Sequence, residues 1–221
     1  MKANSNYQSS GEFSPSEDIK KIFIKRVHQL IGMGYAVLVH NEFTNSPEED
    51  ITGELAKAIE DVLDDSGSNK WMDKFSIHEE YRIHDQKRKG KKRRRLDIRI
   101  DGSMMRPRCR FCFEAKRLGP NHGVSKYLGI DGLQCFLDGR YAKDENIGGM
   151  LGYVQSDACD TWAAKIMLNF MDSDEELCVV GTSPWRKHNI AANVPFTYQS
   201  GHNRPNLNRQ IEIYHILLLF N

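Results

Sequence analysis

Three charged residues interrupt two short segments that otherwise have the composition of apolar β-strands. The first segment covers residues 95–101 and contains Asp97, and the second covers residues 108–116 and ends with Glu114 and Lys116. Valine, isoleucine or threonine would pack better in a strand than two acids and a lysine. The placement of these charges therefore indicates a chemical role that the packing of the strands does not explain.

Strand geometry predicts that the charged residues share one surface of the sheet. Side chains alternate between the two faces of a strand, so Leu96, Ile98 and Ile100 should lie on one face and Asp97 on the other. The same alternation puts Glu114 opposite the aromatic residues of its own strand. If the two apolar faces pack into one core, the carboxylates come together on the opposite surface.

Carboxylate oxygens gathered in this way are suitable ligands for Mg²⁺ or Mn²⁺, which prefer hard oxygen donors and leave positions for water and substrate phosphate. A lysine beside such an ion could orient the attacking water, or help to deprotonate it if neighbouring positive charge lowers the lysine pKa. The alternative interpretation is that Asp97, Glu114 and Lys116 form only cross-strand ion pairs. Spacing alone does not distinguish the two.

A helix before these strands supplies a further candidate, Glu54. The segment SPEEDITGELAKAIEDVL predicts a helix with Ser46 as N-cap, Pro47 at the first helical position and Glu49 completing a capping box. With an apolar stripe from Ile51 to Leu63, Glu54 falls about 85° from the middle of that stripe. Glu54 is therefore expected at the boundary between core and solvent.

The remaining pattern predicts a single α/β domain over residues 16–221, preceded by a flexible N-terminal tail over residues 1–15. The expected order is α, α, β, β, β, α, β, α, β, with a mixed sheet flanked by helices. Gly32 and Gly34 should end the first helix. His202 and Arg204 are expected in a polar loop before the last strand.

Positive charge is concentrated in one segment although the chain as a whole is nearly neutral, with 31 Lys and Arg against 30 Asp and Glu. Eight of the nine residues from Lys87 to Arg95 are basic, and the run leads directly into the strand of Asp97. We expect it to contact a nucleic-acid backbone without reading sequence. A solvated turn is the alternative. The predicted nucleic-acid contacts are Lys91, Lys92, Arg93, Arg94, Arg95, Arg99 and Arg117, although Arg99 and Arg117 could equally pair with nearby acids.

The five cysteines are scattered, and the sequence has no apolar run of roughly 18 residues and no recognisable secretory signal. A reducing cytosol is the expected compartment, and no membrane association is expected. Cys109 and Cys112 form C-x-x-C, with His122 as a third candidate zinc ligand. Residues three apart on a strand point to opposite faces, so a shared zinc ion would require the strand to break.

Taken together, Glu54 on a helix, Asp97 in LDIRI and Glu114-Ala115-Lys116 in FCFEAKRL, 17 residues after Asp97, resemble the PD-(D/E)XK nuclease superfamily. The resemblance covers about residues 48–118. Leu96 stands where the superfamily often has a proline before the aspartate. The resemblance implies a restriction endonuclease-like fold in which Asp97, Glu114 and Glu54 gather one or two divalent metal ions and Lys116 assists the attacking water.

The function implied by the resemblance is metal-dependent endonuclease cleavage of DNA, with Mg²⁺ or Mn²⁺ as cofactor, in a setting such as restriction or anti-phage defence. A nuclease of this length without a separate recognition domain is expected to form a homodimer or to rely on a partner protein. The alternatives are an RNA nuclease and a catalytically silent subunit that keeps the nuclease fold. Retention of all four positions, the acids Glu54, Asp97 and Glu114 and the lysine Lys116, argues against the silent subunit.

Overall fold

The computed structural model describes residues 17–83, 89–104, 106–181 and 185–221. The predicted tail, residue Ser16 and the start of the basic run, Lys87 and Arg88, lie outside these ranges. The helices of the described residues are α1 (Glu17–Val37), α2 (Glu48–Asp64), α3 (Val124–Leu128), α4 (Gln134–Leu137) and α5 (Cys159–Asp172).

Seven strands of the described residues form one mixed sheet in the order β1-β2-β3-β4-β7-β6-β5. The centre, β3, β4 and β7, is parallel, and the other neighbouring pairs are antiparallel. The predicted α/β class with a mixed sheet is thus confirmed. The strands are β1 (Phe75–Arg82), β2 (Arg95–Gly102), β3 (Cys109–Leu118), β4 (Ile147–Val154), β5 (Arg186–Lys187), β6 (Thr197–Arg204) and β7 (Arg209–Leu219).

Helices cover both faces of the sheet, and each face has its own hydrophobic core. Helices α1 and α2 pack on one face, where Phe23 and Leu55 meet Phe113 from β3. Helices α3, α4 and α5 cover the other face, where Phe136 and Trp162 belong to the core. The central parallel strands are buried on both sides, as parallel strands usually are.

The prediction that Gly32 and Gly34 end the first helix is wrong, because α1 continues to Val37. Both glycines lie inside the helix and are buried. A Cβ atom on Gly34 would come within 2.5 Å of the Ile59 side chain. Gly34 therefore permits the close approach of α1 to α2, and its helix-breaking tendency is outweighed by that packing.

The polar segment predicted as a loop before the last strand is strand β6, Thr197–Arg204, and its His202 and Arg204 are fully buried. The guanidinium of Arg204 donates to the carbonyl oxygens of Ala142 at 2.8 Å and Glu145 at 2.6 Å. Sequence polarity predicted solvent exposure here. The structure instead uses the polar groups to hold other segments of the chain.

A buried hydrogen-bonded chain runs between α3 and the segment after α5. It links Tyr127 to His215, His215 to Ser200, Ser200 to His202, and His202 to the carbonyl oxygen of Leu177, over distances of 2.7 to 3.0 Å. Burial lowers the pKa of both histidines, that of His202 to about 4, so both imidazoles are neutral near pH 7. A carbonyl can only accept, so the neutral His202 donates through Nδ1 and accepts from Ser200 at Nε2. His215 then donates to Ser200 through Nε2 and accepts from Tyr127.

None of the helices in the described part of the chain is long and apolar enough to cross a membrane. All five cysteines are free thiols.

Candidate functional site

Strands β2 and β3 separate at Asp97. Their antiparallel pairing ends at Ile98 opposite Phe113. Beyond that point Asp97 Oδ2 accepts a hydrogen bond of 2.7 Å from the backbone N–H of Ala115, in place of a backbone carbonyl. Leu96 joins the core on the α3–α5 side, whereas Ile98 belongs to the core under α1 and α2. The expectation that Leu96 shares the face of Ile98 is therefore wrong.

The separation of the strands brings Asp97, Glu114 and Lys116 together, as the sequence predicts. The ammonium of Lys116 lies 2.9 Å from Glu114 Oε1 and donates also to the carbonyl oxygen of Ala115 at 2.6 Å. The side chains of Glu114 and Lys116 are only 7% and 14% exposed. The group is thus a recessed cluster, and desolvation strengthens its electrostatic interactions compared with surface ion pairs.

Glu48, a residue that the sequence did not single out, completes this cluster from α2. Glu48 Oε1 lies 2.8 Å from the Lys116 ammonium, and Oε2 accepts from the backbone N–H of Arg117 at 3.1 Å. Glu54 is exposed and lies six residues further along α2, about 9 Å along the axis and about 120° around it. The structure does not bring Glu54 to the cluster.

The predicted capping box is also wrong, and this explains why Glu48 was missed. The helix begins at Glu48 with Pro47 at the N-cap position, and no side chain caps it. The hydroxyl of Ser46 donates to the carbonyl oxygen of Glu42, at 3.4 Å, instead of capping α2. Glu48 therefore occupies the first position of the helix, at the end that faces β3.

Gln155, the residue after β4, fixes the start of α2 on the sheet. Its amide Nε2 donates to the carbonyl oxygens of Phe43 at 2.8 Å and Ser46 at 2.9 Å. The guanidinium of Arg117 donates to the same Ser46 oxygen at 3.3 Å. Sequence reasoning did not single out Gln155, and the one signal for it is a polar residue directly after a buried apolar strand.

Burial raises the pKa of both strand carboxyl groups. Burial and the neighbouring Asp97 raise the pKa of Glu114 to about 8. Burial raises the pKa of Asp97 to about 6, against the opposing effects of the Ala115 hydrogen bond and Lys116. Glu114 Oε2 is buried with no hydrogen-bond donor among the described residues, and the Asp97 and Glu114 carboxyl groups lie within hydrogen-bonding reach. One shared proton satisfies this pair.

Lys116 does not have the electrostatic surroundings that the sequence suggested. Burial alone would lower the pKa of Lys116, but the Glu114 and Glu48 carboxylates beside it raise the pKa above that of an ordinary lysine. Neighbouring carboxylates, and not positive charge, surround the ammonium. Lys116 is therefore a fixed cation and hydrogen-bond donor, and a role as proton acceptor is disfavoured.

Over the described ranges, no three His, Cys, Asp or Glu side chains are already arranged around a metal position. The donor chemistry of the cluster nevertheless fits Mg²⁺ or Mn²⁺. Asp97, Glu114 and Glu48 supply only oxygen atoms, and Glu114 Oε2 has no donor of its own. The Asp97–Glu114 pair also binds a proton that a divalent cation could replace.

The predicted nucleic-acid contacts fall into two groups. Lys91 and Lys92 are exposed, and Arg93 and Arg94 are half-buried. The other three are engaged within the protein. Arg95 pairs with Glu80 at 2.5 Å, Arg99 forms a bidentate pair with Asp101 at 2.6 Å, and Arg117 binds the Ser46 carbonyl.

A cleft of about 750 Å³ lies beside the cluster. Leu96 and Cys112, two of its lining residues, are neighbours of Asp97 and Glu114 along their strands. The other side of the cleft is formed by residues between α4 and β4, including Arg140 and Lys143. Arg94 lines the cleft as well, so the basic run reaches it.

The C-x-x-C pair does not form a joint metal site in the structure. Cys109 lies against the core under α1 and α2, and Cys112 belongs to the core on the opposite face of the sheet. This is the arrangement expected for an unbroken strand.

No family model matches the chain, and no curated protein or solved structure matches it either.

Proposed function

We propose that this protein is a metal-dependent endonuclease that hydrolyses phosphodiester bonds of DNA, with the restriction endonuclease-like arrangement of the PD-(D/E)XK superfamily. The single observation that carries the proposal is the convergence of Asp97, Glu114 and Glu48 around the Lys116 ammonium. The ammonium nitrogen lies 2.8 Å from a carboxylate oxygen of Glu48 and 2.9 Å from one of Glu114. A surface ion pair explains neither the burial of Glu114 nor its oxygen without a donor.

In the proposed site, Asp97, Glu114 and Glu48 would hold Mg²⁺ or Mn²⁺. The bound ion would supply a polarised water and stabilise charge on the phosphate and leaving oxygen. Lys116 would donate a hydrogen bond to the attacking water or to a phosphate oxygen, because its raised pKa keeps it protonated. The hydrogen bond from Ala115 keeps the Asp97 carboxylate in the gap between the strands.

Purified protein incubated with supercoiled plasmid, linear DNA or RNA, in Mg²⁺, Mn²⁺ or EDTA, tests the proposal directly. We expect DNA to be cut with either metal and to remain intact in EDTA. Cleavage of RNA alone would favour the RNA nuclease, and binding of DNA without cleavage in any metal would favour the catalytically silent subunit. Cutting that persists in EDTA would contradict the metal-dependent mechanism.

Two matched substitutions on α2 test which helical glutamate belongs to the site: Glu48, which the structure brings there, or Glu54, which the sequence predicts. Glu48→Gln removes a carboxylate that touches Lys116, so we expect it to lower Mg²⁺-dependent cleavage at least about tenfold, the range seen for groups that support a metal site. Glu54→Gln removes an exposed charge and should cleave at the parent rate.

A Mg²⁺ titration of cleavage by both variants provides the measurement. Equal activity of Glu48→Gln and the parent across the titration would remove Glu48 from the site. A loss confined to Glu54→Gln would restore the residue predicted from the sequence.

A further inference from the structure

The cleft beside the cluster has apolar and aromatic groups among its charged lining residues. Tyr81 and Leu207 are partly exposed, and the buried Leu96 and Cys112 also line it. The Arg99 guanidinium lies 4.1 Å from the centre of the Tyr81 ring, so the two groups form a stacked pair. Apolar and stacked planar groups are the surfaces on which unpaired bases bind. A base pair inside a duplex does not expose its faces to such groups.

The charges that line the cleft are mostly neutralised within the protein, but two cations and one acid, Asp144, have no ion-pair partner among the described residues. Arg99 pairs with Asp101, and two further cations of the cleft, Arg110 and Arg140, also pair with acids. Arg94 and Lys143, which line the cleft on its two sides, have no side-chain partner among the described residues. These two side chains are therefore available for backbone phosphates.

The cleft and the cluster lie close together along β3. Cys112 and Glu114 lie on the same face of β3, two residues and therefore about 7 Å apart. Because the Glu114 carboxylate is only 7% exposed, the scissile phosphate has to enter a recess to reach it. A volume of about 750 Å³ is in the range of sites that enclose a drug-sized ligand, which suits one or two nucleotides of a single strand.

From these observations we propose that the cleft is a binding subsite for single-stranded DNA, and that the strand to be cut reaches Asp97 and Glu114 unpaired. Bases would lie against Tyr81 and Leu207, with phosphates at Arg94 and Lys143. The role of this subsite rests on the proposed nuclease function. Its test does not, because the test measures binding alone. The exposed Lys91 and Lys92 would contact either single-stranded or duplex DNA outside the cleft.

Fluorescence anisotropy in EDTA tests the subsite with a labelled single strand of about 12 nucleotides and the duplex of the same sequence. We expect the single strand to bind more tightly than the duplex. The double variant Arg94→Ala, Lys143→Ala should raise the Kd for the single strand at least tenfold and leave the duplex Kd nearly unchanged. For the single strand, the slope of log affinity against log salt concentration should decrease in magnitude by about 1.4 in this variant, because two phosphate contacts are lost.

The matched control is the double variant Lys91→Ser, Lys92→Ser, which removes the same number of cations outside the cleft. It should weaken single-strand and duplex binding to a similar extent. The subsite is wrong if the duplex binds as tightly as the single strand, or if Arg94→Ala, Lys143→Ala weakens both equally. Tight single-strand binding without cleavage in Mg²⁺ would leave the subsite standing and overturn the nuclease. Metal-dependent cleavage without a preference for single strands would support the nuclease and overturn the subsite.

Discussion

Asp97→Asn and Glu114→Gln should each lower the rate of Mg²⁺-dependent DNA cleavage by at least about 100-fold, a typical loss when one group that stabilises charge in a transition state is removed. Both substitutions preserve side-chain shape. The amide oxygen introduced by Asp97→Asn could still accept the hydrogen bond from Ala115, so the gap between β2 and β3 should be retained. The measurement is the initial rate of plasmid nicking at saturating Mg²⁺.

Glu49→Gln provides the control for charge, because Glu49 is exposed in the same first turn of α2 as Glu48. It should cleave at the parent rate. Circular dichroism and thermal melting in EDTA should show all three variants folded. If Asp97→Asn or Glu114→Gln kept the parent rate while remaining folded, the carboxylate pair would have no part in catalysis.

In the absence of divalent metal, the Asp97–Glu114 pair should make the free energy of unfolding of the parent fall relative to that of Glu114→Gln as the pH rises from about 4.5 to 8. The buried histidines His28, His202 and His215, whose pKa values are lowered from 6.5, give the opposite trend at acid pH in both proteins, so the comparison isolates the pair. Burial raises the pKa of Asp97 from 3.8 to about 6 and that of Glu114 from 4.5 to about 8. The pair therefore holds more protons in the native state than in the unfolded chain throughout this window, and its contribution to stability decreases with pH. One extra proton corresponds to a slope of about 1.4 kcal/mol per pH unit.

Urea unfolding in EDTA at several pH values between about 4.5 and 8.5 measures this slope. The parent's stability from the pair is fully present at the acid end and is lost as the pH passes the raised pKa of Glu114. Glu114→Gln removes this contribution and should become more stable relative to the parent towards the alkaline end. Glu49→Gln should keep the pH dependence of the parent. If the difference in stability between Glu114→Gln and the parent did not change across this window, the shared proton would be contradicted.

The sequence predicted the strands of the site well, because period-two patterning and buried residues are local properties. Strands β2 and β3 lie within one or two residues of their predicted limits, and Asp97, Glu114 and Lys116 come together. Strand β6 was missed because its buried His202 and Arg204 are satisfied by residues distant in the chain, Leu177 and the Ala142–Glu145 segment. Tertiary partners of this kind leave no local pattern.

The helical member of the site could not be predicted for a similar reason. Periodicity correctly placed the apolar stripe of α2 but not the end of the helix that approaches β3. The contact of Glu48 with Lys116 depends on Pro47, and not Ser46, standing at the N-cap, and on the carbonyl bonds from Gln155. Glu54 fitted the amphipathic pattern equally well, and its exposure follows from how the helix is rotated on the sheet.

The bonds from Gln155 have a consequence for how accurately the site is maintained. A helix held on a sheet only by apolar packing can shift along its axis as the core adjusts to a substitution, since dispersion contacts have little directional preference. The Gln155 amide instead binds the carbonyl oxygens of Phe43 and Ser46 just before α2, and the Arg117 backbone N–H binds Glu48 at its first position. These directional bonds fix the axial position of the helix. Mutational drift in the core beneath α2 should therefore erode thermal stability before it displaces Glu48, so the site can tolerate sequence divergence that the core cannot.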